Sequence, residues 1–296
     1  MPASKSGLKY AWAIPAALLF TVLLAAACTS DDDGDDNRLR VVTSLELFAD
    51  MVRNVAGERA EVTALLPAVA DPHTYELSPG RVVDVAQADL AFVNGLGLEG
   101  SLRAVIDENV GGPVDVLTDG LDIVDGNPHL WLDPMLAISY VQSILLALAA
   151  SDPEGATEYA ANAAAYADEL LAVDAEIEAA LASIPPERRK LVTFHNAFPY
   201  LARRYGLEVV AVVVPSPGQE PSARAIADLI DAIEAQNVPA VYKEPQFNAD
   251  VLESAADEAG VRVLDLLSDA YIDGVESYID LMRFNAAQLV EGLGGS

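Results

Sequence analysis

From residue 39 onward, short apolar runs alternate with longer stretches whose apolar residues recur every three or four positions. Residues 39–43, 61–66, 90–93 and 114–117 read as strands, and 45–55 as a helix that stops at Gly57. Ser78-Pro79 offers a helix cap followed by proline at the first helical position, which predicts a helix through Gln87. Asp133-Pro134 opens a helix to about Ala150, and Asp152-Pro153 a second to about Ile184, ended by Pro185-Pro186. The second, rich in Ala and Glu, would span ~45 Å at 1.5 Å per residue and predicts a strut. Strands over 191–194, 208–214, 240–242 and 261–264 follow, with helices over 222–235, 249–259 and 277–293. Strands separated by helices predict an α/β fold with parallel sheets. The expected layout is two parallel-sheet lobes, 39–150 and 188–296, joined by a long helix over 151–187.

The first 38 residues do not follow that pattern. Lys5 and Lys9 precede an apolar run over 11–27, broken only by Pro15 and Thr21 and ending in Ala25, Ala26 and Ala27. This describes a secretory signal over residues 1–28, short of the ~20 apolar residues a membrane span needs. Cys28 directly after the small residues resembles a bacterial lipoprotein cleavage site, although Ala25 stands where leucine is usual and Leu24 lies one place earlier. The resemblance implies a lipid on Cys28, with acyl chains contributing ~0.8 kcal/mol per buried methylene, and an extracytoplasmic protein held at the membrane. Residues 29–38 carry Asp31-Asp32-Asp33-Gly34-Asp35-Asp36, a self-repelling stretch that reads as a tether.

Cys28 is the sole cysteine, which excludes an internal disulfide and a cysteine-based zinc site. The net charge of −29 argues against nucleic acid as a partner and favours cations. Only three histidines occur, and their placement is informative. His73 follows a strand and precedes the capped helix, His129 lies in a loop before a helix, and His195 ends a strand. In open α/β sheets ligands bind at that edge. One histidine there is more often structural than a ligand, but three equivalent placements point to a metal site. Neutral imidazole suits zinc, which needs a fourth donor. Asp265, at the end of the last strand, occupies the matching position and also reads as a turn residue.

Five stretches carry a resemblance: 72–76 (Pro-His-Thr-Tyr-Glu), 127–134 (Asn-Pro-His-Leu-Trp-Leu-Asp-Pro), 192–201 (Val-Thr-Phe-His-Asn-Ala-Phe-Pro-Tyr-Leu), 219–222 (Gln-Glu-Pro-Ser) and 244–246 (Glu-Pro-Gln). Together they resemble the solute-binding subunits of bacterial zinc and manganese ABC importers, from Leu39 to the end. Leu77 departs from a common proline and Arg81 from a common acidic residue, both near the first histidine. The resemblance implies metal ligands at His73, His129, His195 and Asp265 in the cleft between the lobes, Asp265 being placed by counting back from Tyr278 to Asn285. A histidine at the third position resembles zinc-type members, where manganese-type members carry glutamate. Zinc is therefore the expected ion, and manganese the alternative. Glu76, Asn127 and Glu244 are candidate acceptors for the other ring N–H of the ligating histidines. The resemblance further implies a monomer that hands its ion to a membrane permease, with only a small rocking motion of the lobes. A zinc metalloenzyme is the rival reading, but it needs an open coordination position and a base. Neither a His-Glu-x-x-His helix nor a nucleophile elbow occurs, so an enzyme is not expected. A surface adhesin with incidental metal is the other rival.

Overall fold

The computed structural model describes residues 38–294. The expected signal, Cys28 and all but the last residue of the acidic tether lie outside the described residues. Four parallel strands form a first sheet: β1 (Leu39–Thr43), β2 (Ala60–Ala64), β3 (Leu90–Val93) and β4 (Val114–Val116), in the order β2-β1-β3-β4. A second parallel sheet repeats that order as β6-β5-β7-β8, from β5 (Lys190–His195), β6 (Glu208–Val214), β7 (Ala240–Lys243) and β8 (Arg262–Asp265). Parallel neighbours need crossover connections, and helices supply them. The helices are α1 (Glu46–Ala56), α2 (Pro79–Gln87), α3 (Leu102–Asn109), α4 (Pro134–Ser151), α5 (Ala156–Leu181), α6 (Pro199–Tyr205), α7 (Ala223–Ala235), α8 (Asp250–Ala259) and α9 (Tyr278–Leu293).

Local chemistry explains where the helices begin. Asp133 accepts from the Met135 N–H at 2.9 Å with Pro134 at the first helical position of α4. Ser222 Oγ accepts from Ala225 N, and Ser277 Oγ from Asp280 N. Ser78 precedes α2 without a side-chain cap bond, so proline alone marks that start. Two short helices escape the sequence pattern. α3 and α6 have only two turns each, too few for a clear period.

The strut is α5, 26 residues and so ~39 Å long. It buries Tyr159, Ala163, Tyr166, Leu170, Val173, Ile177 and Leu181 on one face. That face packs on α1 and α4 beside the first sheet and on α9 beside the second. The main apolar core is accordingly continuous across both halves, from Val41 and Phe48 through Trp131 and Tyr140 to Tyr200, Tyr278 and Leu293. A smaller core lies under α7 and α8, around Val192, Val241 and Leu252. The two halves share the larger of the two core clusters, which limits how far one can move on the other. α4 is apolar enough to cross a bilayer by composition, yet here it lies against α5 and α1.

Candidate metal site

All three histidines meet. His73 lies in the loop after β2, His129 in the segment after β4, and His195 at the last position of β5. One ring nitrogen from each lies within 4.8 Å of the other two. The ring centroids stand 5.0 to 5.9 Å apart. His129 and His195 are almost fully buried and His73 is half-buried. The loops that carry them emerge from the carboxyl ends of the strands, where backbone groups no longer pair within the sheet.

Each histidine is held by a different device. Asp71 holds the first turn, its Oδ1 accepting from His73 N at 3.0 Å and its Oδ2 from Thr74 Oγ1 at 2.6 Å. Gly100 backs the turn with a left-handed φ of 48°, and a Cβ there would lie 2.8 Å from the His73 carbonyl oxygen. Asn127 holds the second. Its Oδ1 accepts from His129 N and from the ring Nδ1, both at 3.0 Å, while its Nδ2 donates to the Asn196 carbonyl at 2.6 Å. Behind it, Asn94 Nδ2 donates to the Pro128 carbonyl, and Tyr140 OH donates to Asn94 Oδ1. Glu244, just after β7, holds the third. Its Oε2 lies 2.6 Å from His195 Nδ1, and Phe247 packs edge-on to the ring.

These bonds fix the tautomers. The amide oxygen of Asn127 and the carboxylate of Glu244 accept, so in the neutral rings Nδ1 carries the proton in both His129 and His195. Their Nε2 lone pairs then face each other at 3.2 Å. Two imidazole nitrogens on one zinc, each ~2.05 Å from it, lie about 3.3 Å apart, so the spacing suits one shared cation. His73 Nε2 is buried with no hydrogen-bond partner.

Titration follows from this packing. Burial pulls His129 well below the usual histidine range, and the charges of His195 and His73 add to that. Burial, then His195, brings His73 down to about 4. Burial also opposes a charge on His195, but the charge and hydrogen bond of Glu244 outweigh it and the ring is raised.

The acidic donor expected at Asp265 has a second candidate near the end of β8. Asp265 closes β8 in register with Lys243 and is half-buried. Among the described residues neither it nor Asp269 joins the three-histidine group. The buried carboxyl beside His195 is Asp269, four residues on and only 4% exposed. Burial, then the charge of Glu244, raises it to about 7, and His195 partly offsets this. Its Oδ2 has no hydrogen-bond partner. Beyond β8 the chain bends at Ser268 and Asp269, and the side chain of Asn285 holds the loop just before that bend. Asn285 Oδ1 accepts from Leu267 N at 2.8 Å, and its Nδ2 donates to Leu267 O at 2.7 Å. Glu76 is exposed, and among the described residues no hydrogen bond joins it to His73. Asn127 and Glu244 do bond their histidines. Glu244→Gln, which keeps shape and removes charge, is expected to weaken metal binding ten- to a hundredfold, read by chelator competition.

A cluster of imidazoles and a carboxyl between two parallel-sheet halves is the arrangement of a two-lobed binding protein for a metal ion. Residues 41–292 match the family described as zinc-uptake complex component A, periplasmic. The chain is 33% identical to the manganese-binding lipoprotein MntA of Halalkalibacterium halodurans over 88% of this chain and 90% of that protein. It is 31% identical to the iron-binding protein YfeA of Yersinia pestis, over 87% of each. Its fold matches the periplasmic zinc binding protein TroA of Treponema pallidum with a TM-score of 0.81 and 28% identity, over 87% of this chain and all of that one. The chain belongs to the zinc-uptake component A family, the substrate-binding components of metal ABC importers. Members of this family bind solutes and are not enzymes.

Proposed function

We propose that the chain captures zinc outside the cytoplasm and delivers it to the permease of a metal ABC importer. His73, His129, His195 and Asp269 are its ligands in this reading. The observation that carries it is the convergence of three imidazole nitrogens within 4.8 Å, two of them with lone pairs 3.2 Å apart. Three nitrogens and one oxygen suit zinc, whereas manganese favours oxygen-rich, six-coordinate sites. Manganese is the second reading, because the relatives named above include a manganese-binding lipoprotein at 33% identity. In the same reading residues 1–28 are the leader, Cys28 carries the lipid, and residues 29–38 tether lobes 39–150 and 188–296, joined through 151–187, to the membrane.

The test is metal analysis of the purified protein after equilibration with zinc and manganese in competition. One zinc per chain, held more tightly than manganese, is the expected result. A chain that binds no metal at neutral pH sinks the reading, and a clear preference for manganese replaces it with the second.

The pH dependence has a definite sign. His195 is raised and Asp269 titrates at about 7, so near pH 7 the free site holds protons that an arriving cation must displace. Zinc binding at pH 7 is expected to release about one proton or more, measured by calorimetry in buffers of different ionisation enthalpy. Below that pH, affinity should fall about tenfold per pH unit for each displaced proton. The metal-free protein responds separately. His73 and His129 lie below their unfolded value of about 6.5, so the unfolded chain takes up protons that the folded one refuses. Their contribution to stability is present above about pH 6.5 and is lost as pH falls towards 4.

A further inference from the structure

We propose that Gln246 sets which metal the site prefers, by a hydrogen bond to one oxygen of Asp269 that orients the carboxylate to offer the other to an ion. This rests on the reading of Asp269 as the fourth donor. Gln246 Nε2 lies 3.0 Å from Asp269 Oδ1 and 2.9 Å from Ser268 Oγ. A carboxylate oxygen accepts, so the NH₂ end of the amide faces Asp269. The Ser268 hydroxyl also acts on this carboxylate, so the amide anchors both the acid and its neighbour. Asp269 Oδ2 is buried without a partner, so the two oxygens of one carboxylate have different surroundings.

Two other acids lie near Asp269 and are engaged with the histidines, Asp71 with the His73 turn and Glu244 with the His195 ring. Glu244 bonds Nδ1 of His195, on the ring edge away from the Nε2 that faces His129. Three imidazole nitrogens and one carboxylate oxygen make four donors, a complete set for tetrahedral zinc. Manganese gains from a fifth and sixth donor, preferably oxygen. Asp269 could supply one by binding through both oxygens, but the Gln246 bond occupies one lone pair of Oδ1, weakens that oxygen as a donor and fixes the rotation of the carboxylate. Gln246 is therefore a positioning residue that acts through Asp269. It costs zinc nothing and it weakens a donor that manganese would use.

The test compares wild type with Gln246→Leu. Each protein is stripped of metal and equilibrated with zinc and manganese in competition against a chelator. Cobalt(II) loaded in parallel reports coordination number through its visible absorption, intense for four ligands and weak for five or six. Four-coordinate cobalt is expected in the wild type. In Gln246→Leu the absorption should weaken and the zinc-to-manganese affinity ratio should fall about tenfold, the scale of one hydrogen bond. Gln246→Ala carries the test if the leucine variant does not fold, with the same shifts expected. An unchanged ratio and cobalt spectrum in a folded variant overturn the proposal. Wild-type protein that takes up none of the three ions overturns the site reading and this proposal together, and that case is distinct because the wild type itself fails.

Discussion

His195→Ala is expected to lower zinc affinity by more than a hundredfold while leaving a folded protein. A four-ligand zinc site is worth ~10–16 kcal/mol, so one ligand carries about 3 kcal/mol, which is two decades of affinity. His195 also does more than donate. It is the partner of Glu244 Oε2 at 2.6 Å, and its charge partly offsets the buried carboxyl of Asp269. Without the ring, Glu244 and Asp269 repel each other with no cation between them, and the loss should exceed that of one donor. Thermal unfolding gives a second readout. Zinc at a thousand times its Kd stabilises the folded state by ~4 kcal/mol, roughly 10 °C in a protein of this size. At the same zinc concentration that rise should shrink to about a third or less in His195→Ala. A variant that keeps wild-type affinity and the full thermal shift would remove His195 from the site.

The convergence of the histidines is legible in the sequence and the place of Asp269 beside His195 is not, for a physical reason. His73, His129 and His195 each sit where a strand pattern gives way to a loop, and strand ends in a parallel sheet share one edge. Position along the chain therefore translated into position in space. Asp269 breaks that logic. β8 ends at Asp265, and the loop that carries Asp269 is held by Asn285, which bonds both polar groups of Leu267. Side-chain bonding from a residue 18 positions away leaves no periodic trace. The partners of the histidines divide in the same way. Asn127 lies two residues before His129 and could be named from proximity, whereas Glu76, three residues after His73, faces solvent. Gln246 touches Asp269 across twenty-three positions, a pairing that only the fold supplies. The long helix is visible in the sequence as composition, and it joins the two halves; its burial in one core continuous through both leaves no such mark.

Trp131→Ala is expected to cost about 3–5 kcal/mol of stability, and to loosen the site as well. The indole is fully buried, packs edge-on against Phe48 at 5.4 Å, and lies 5.1 Å from the His129 ring. Its Nε1 donates to the Ser268 carbonyl at 2.7 Å, which ties the His129 segment to the residue before Asp269. One side chain thus joins the core of the first half to the ligand loop of the second. At ~2–4 °C per kcal/mol, the unfolding midpoint should fall by roughly 10 °C or more. Trp131→Phe separates the two contributions. It keeps most of the packing and removes only the indole N–H, leaving a buried carbonyl without that donor, at a cost of about 1–3 kcal/mol. Both variants free the Ser268-Asp269 segment, so both should weaken zinc binding, and the phenylalanine variant should do so with the smaller loss of stability. The ratio of the two effects is diagnostic. Unchanged zinc affinity in Trp131→Phe would mean that the bond across the halves does not position Asp269. A stability loss below about 1 kcal/mol in Trp131→Ala would contradict the shared core itself, because a fully buried indole cannot be deleted from close packing so cheaply.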